Sequence, residues 1–119
     1  MLTCIIRYHI DPTKKAQFLT YAQNWGQAIP RCGADLIGYY APHEGSSTLA
    51  YGIYNVDSLA AYEAYRARLA DDPLGKENYA FAQREKFLLR EDRTFLKSVS
   101  GLKSVSGLKP GAGPRERST

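Results

Sequence analysis

Residues 2–12, LTCIIRYHIDP, hold the switch from strand to helix on which the fold depends. Leu2, Cys4, Ile6, Tyr8 and Ile10 fall on one face and Thr3, Ile5, Arg7 and His9 on the other, the period-two pattern of a β-strand. Asp11-Pro12-Thr13 then supplies a capping side chain and a proline suited to a first helical turn. The apolar start has neither a basic leader nor a small-residue cleavage site, so it reads as the first strand and not as a secretory signal. Outward from this switch, Phe18, Ala22, Trp25, Ile29 and Cys32 recur at steps of four and three, one face of an amphipathic helix that Pro30 and Gly33 are expected to close.

Asp35 to Pro42 and Thr48 to Val56 are rich in Tyr, Ile and Leu and read as two strands. The link His43-Glu44-Gly45-Ser46-Ser47 has turn composition, so the two should form a hairpin. Asp57-Ser58 caps a second helix carrying Leu59, Tyr62, Tyr65 and Leu69. Asp71-Asp72-Pro73 ends it, Gly75 is expected to make a second break, and Lys76 to about Phe87 is helical again. A last strand lies within Leu89 to Val99. The order is β-α-β-β-α-β with the second helix broken in two: a ferredoxin-like α+β domain, an antiparallel sheet with its helices on one face.

A length of 119 residues suggests one domain, here residues 1–100, followed by a tail at 101–119. The tail repeats LKSVSG and ends in LKPGAGPRERST, a low-complexity composition that predicts disorder. The net charge of +4 belongs to residues 96–119. From Met1 to Phe95, eleven Lys and Arg balance eleven Asp and Glu, whereas a nucleic-acid-binding domain should carry its basic excess on the folded body. No nucleic-acid partner is therefore expected. No apolar run reaches the roughly 20 residues of a membrane span, so none is expected to cross a membrane. Two cysteines, Cys4 and Cys32, are too few for a disulfide framework or a zinc site and suit buried thiols in a reducing cytoplasm.

Helices on one side leave the second face of the sheet to solvent, where polar residues should then predominate. The strands do not alternate in that way. Ile37 and Tyr39 oppose Leu36, Gly38 and Tyr40, and Leu49, Tyr51 and Ile53 oppose Ala50, Gly52, Tyr54 and Val56, so both faces are apolar or aromatic. Burying a large apolar side chain is worth about 1.5–3 kcal/mol. A homodimer packed sheet on sheet about a two-fold axis would remove the exposed patch, because such an interface is self-complementary.

Four stretches, LTCIIRYHIDP, GYYAPHEGSS, SLAAYEAYRARLADDP and REDRTFLK, resemble the NIPSNAP family, and within it the small bacterial single-domain members. The likeness runs from Leu2 to Lys97, with Asp57 to Pro73 its most specific part. It implies a dimeric α+β barrel. Many relatives begin with a strand carrying Glu and Arg where this chain has Cys4 and Ile6, whereas Tyr8 matches. The same architecture resembles that of cofactor-independent monooxygenases, a likeness of fold and not of function.

The sequence holds no Gly-rich phosphate loop, no nucleophile elbow and no HExxH, so no cofactor is implied. His9 and His43 lack a third ligand of known position, and no metal site is expected. Arg7 is a charge in mid-strand, needing either an acid such as Asp92 or Glu91 or a ligand to anchor. Tyr8, Tyr39, Tyr40 and Tyr54 each present an apolar body and a hydroxyl. With Arg7 and His9 they are the candidate ligand-binding residues; ordinary packing at the sheet and dimer interface is the other reading. Three functions stay open: binding of a small aromatic or acidic molecule, a cofactor-independent monooxygenase-like enzyme, and a protein-interaction module without a ligand.

Overall fold

The computed structural model describes residues 1–99, and the expected disordered tail lies outside them. β1 (Leu2–Ile10) is followed by a 3-10 turn (Pro12–Lys14) and α1 (Lys15–Arg31). The hairpin is β2 (Asp35–Tyr40) and β3 (Leu49–Val56); then come α2 (Leu59–Asp71), α3 (Pro73–Glu85) and β4 (Leu88–Lys97). The strands form one antiparallel sheet in the order β2-β3-β1-β4, the expected ferredoxin-like arrangement.

The caps explain where the elements begin. The Asp11 carboxylate accepts from the Thr13 N–H at 2.9 Å and turns the chain out of β1. The Ser58 hydroxyl accepts from the Ala61 N–H at 3.0 Å and starts α2. Asp72 ends α2 and caps α3, accepting from the Gly75 N–H at 2.9 Å with Pro73 in the first turn. Arg31 of α1 grips the same carboxylate through two hydrogen bonds of 2.9 and 2.8 Å.

Cys4, Ile6, Tyr8 and Ile10 of β1 meet Phe18, Trp25, Ile29 and Cys32 in one buried core, with Ala50, Tyr54 and Val56 of β3 beside them. Tyr21, off the stripe read from the sequence, is also buried there.

Three local expectations are corrected. Pro30 does not stop α1 but lies inside its last turn; the stop is at Gly33, whose φ of 106° favours glycine. Gly75 is no break. It sits within α3 against the end of α2, where a Cβ would lie 2.6 Å from the Leu69 carbonyl oxygen. Finally, β2 does not alternate strictly. A register shift between Leu36 and Gly38 leaves Ile37 half exposed and puts Leu36 and Tyr39 both toward the core.

Candidate functional site

A small cavity of about 30 Å³ lies between the sheet and the helices. Its floor is aromatic. Tyr8 of β1, Tyr39 of β2 and Tyr54 of β3 rise from the sheet; Tyr21 and Trp25 of α1 and Tyr65 of α2 descend toward them. Tyr8 and Tyr39 stack at 6.1 Å, and their hydroxyls meet at 3.1 Å. Tyr39 can lie across the sheet because its neighbour on β3 is Gly52, where a Cβ would fall 2.6 Å from the Tyr39 ring. Tyr21 stands edge-on to Tyr8 at 6.2 Å, and Trp25 edge-on to Tyr21 at 5.6 Å. Tyr54 and Tyr65 pack at 5.3 Å. The hydroxyls of Tyr21, Tyr54 and Tyr65 have polar neighbours in Trp25, Cys4 and Tyr54 respectively.

Burial governs how these groups titrate. It pushes Tyr21 up to about 12 and raises Tyr8, Tyr39, Tyr54 and Tyr65 well above an ordinary phenol. The Cys4 thiol is raised for the same reason. At neutral pH the floor is therefore a set of protonated hydroxyls able to donate hydrogen bonds.

The mouth is charged. Arg66 of α2, Arg93 and Glu91 of β4 and the part-exposed Tyr79 of α3 line it. Arg93 donates to Glu91 at 2.9 Å, and the two side chains are 30% and 33% exposed. Burial by itself would make the Arg93 guanidinium easier to deprotonate; the charge of the neighbouring Glu91 carboxylate is the largest influence against this and favours the charged form. Arg66 donates to the Tyr62 hydroxyl and lies over the Tyr62 ring, 5.6 Å from its centre. Tyr62 is in turn fixed edge-on to Phe95 at 4.7 Å.

The six residues expected from the sequence do not converge. Tyr8, Tyr39 and Tyr54 line the cavity, whereas Arg7, His9 and Tyr40 belong to the opposite face of the sheet. The alternation of β1 separates them, because Arg7 and His9 point away from the side Tyr8 faces. Arg7 is half exposed and lies 3.5 Å from Asp92, the acid pairing considered for it. Asp92 also accepts from Arg90 at 3.0 Å, and that bond first, with Arg7 second, lowers its pKa. Arg66, Arg93, Glu91, Tyr21, Tyr65 and Tyr79 also line the cavity, and none of them is among those six. Among the described residues no group of three or more His, Cys, Asp or Glu is arranged to hold a metal ion, and no helix is long and apolar enough to cross a membrane.

A four-stranded antiparallel sheet with its helices on one side and an aromatic cavity between the layers defines a ferredoxin-like α+β domain. The same fold occurs in a candidate antibiotic biosynthesis monooxygenase from Nitrosomonas europaea, with a TM-score of 0.65 at 10% identity, over 83% of this chain and 99% of that one. An uncharacterised NIPSNAP domain protein from Burkholderia xenovorans is similar with a TM-score of 0.69 and 27% identity, over 87% of this chain and all of the other. A NIPSNAP family protein from Agrobacterium tumefaciens gives 0.68 and 23%, over 85% and 88%. The NIPSNAP family model matches residues 3–102, and the chain belongs to that family. No curated protein matches it.

Proposed function

We propose that the protein binds a small acidic aromatic molecule at the cavity between sheet and helices, which must widen from about 30 Å³ to admit it. The observation that carries this reading is the pairing of an aromatic floor of protonated phenols with two guanidinium groups at the mouth, Arg66 and Arg93. Flat rings suit the tyrosine and tryptophan walls, and a carboxylate suits the planar fork of an arginine. Tyr8, Tyr39 and Tyr54 are the sheet's contribution to the site; Arg7, His9 and Tyr40 stand outside it. Binding ranks above catalysis because the floor phenols stay protonated at neutral pH and supply donors, not a base. The monooxygenase-like alternative has only a likeness of fold behind it. We further propose that the protein works in the cytoplasm, where the free thiols of Cys4 and Cys32 would stay reduced, and as a homodimer. The outer face of the sheet, with Ile5, Tyr51, Ile53 and the half-exposed Ile37 and Tyr40, is the surface a second copy would cover.

Thermal shift with salicylate and 4-hydroxybenzoate tests the site. A ligand at a hundredfold excess over its Kd stabilises the folded state by about 2.7 kcal/mol, which a melting curve reads easily. Wild type and Arg7→Met should be stabilised alike, and Arg66→Met and Arg93→Met much less. Absence of a shift with either acid, or equal shifts in all four proteins, would refute the assignment.

A further inference from the structure

The mouth of the cavity carries two cations and a single anion. Glu91 and Arg93 stand two residues apart on β4 and are joined at 2.9 Å, so the resident carboxylate already neutralises one guanidinium. Arg66 enters from α2, and its hydrogen-bonding partner is the neutral Tyr62 hydroxyl, with no carboxylate in a salt bridge to it among the described residues. Of the groups lining the cavity, only Arg66, Arg93 and Glu91 are charged at neutral pH, leaving one positive charge unmatched. Glu91 is a third exposed and lines the cavity beside Arg93.

We propose that Glu91 sets the charge of the ligand, admitting a monoanion and turning away dianions. The assignment rests on the cavity being a ligand site. A single carboxylate balances the uncompensated cation; a second negative charge would meet Glu91 without a further partner. Glu91 is thereby a specificity-determining residue and not a catalytic one.

Titration calorimetry at pH 7.5 and fixed ionic strength, with benzoate as monoanion and phthalate as dianion, tests this. Each compound is compared with itself in two proteins, so ligand size cancels. In Glu91→Gln, benzoate should bind about three- to tenfold tighter and phthalate by about the square of that factor, the scaling expected when one neighbouring like charge is removed at a partly solvated site. Glu91→Asp, which keeps the charge, should retain the wild-type ratio of the two affinities. Glu91 lies on an edge strand and is part exposed, so both variants should fold, which circular dichroism checks. Benzoate binding to wild type with an unchanged benzoate-to-phthalate ratio in Glu91→Gln would overturn this inference and leave the cavity reading standing. Benzoate binding to none of the proteins would overturn both.

Discussion

Asn78 is the polar residue buried completely in the described part of the chain, and its replacement should be costly. Its amide nitrogen donates to the Tyr21 carbonyl at 2.9 Å, and its amide oxygen accepts from Asn24 at 3.0 Å. One side chain thus joins α3 to α1 beside Tyr79 at the cavity mouth. Asn78→Ala removes both hydrogen bonds, each worth about 0.5–1.5 kcal/mol net, and leaves a small void, for a loss of about 2–3 kcal/mol. The Tyr21 carbonyl keeps its helical partner and Asn24 is part exposed, so the damage stops there. For a domain of this size such a loss lowers the melting temperature by about 10–20 °C. Differential scanning calorimetry of Asn78→Ala, Asn24→Ala and the double variant measures it. The double variant should fall short of the sum, with a coupling of about 0.5 kcal/mol or more. A melting temperature within about 3 °C of wild type, or strict additivity, would refute the role given to this amide.

Two further outcomes are expected. The buried tyrosines should titrate late. A group whose folded pKa is raised stabilises the fold below its unfolded pKa and loses that contribution as pH rises, so stability should fall from about pH 10 upward, through about 12 for Tyr21. Phenolate absorbance followed alongside circular dichroism checks this; Tyr8 and Tyr39 ionising near pH 10 in folded protein would contradict it. The dimer should appear in sedimentation equilibrium at micromolar concentration, and Ile53→Lys on the outer face should dissociate it without unfolding the domain. A monomer of 13.3 kDa at high micromolar concentration would refute the interface.

Local chemistry made most of the fold readable. The caps at Asp11 and Ser58 and the alternation of β1 are short-range signals, and each element they govern stands where expected. Gly75 misled because a glycine required for close packing on Leu69 has the same letter as one that ends a helix. The bulge at Ile37 left no mark in the alternation. Of the cavity lining, the strand tyrosines Tyr8, Tyr39 and Tyr54 were legible. The charged residues were not, because the burial of Arg66 and Arg93 depends on tertiary packing. Arg66 follows Tyr65 on a helix whose inward face is weakly marked, and Arg93 lies on a strand whose register the sequence left open. Its spacing from Phe95, two residues on and packed against the core, is the signal that would have turned Arg93 and Glu91 inward.

The triple duty of Asp72 has a consequence for how the molecule breathes. One carboxylate ends α2, begins α3 and is clamped by Arg31 of α1, so the three helices are tied at a single node and will shift as a raft. β4 has no such tether: it is a sheet edge, paired on one side alone, to β1. Local opening should therefore be easier along this edge than within the helical layer. Amide hydrogen exchange would register the asymmetry, rapid along the unpaired side of β4 and slow through α1.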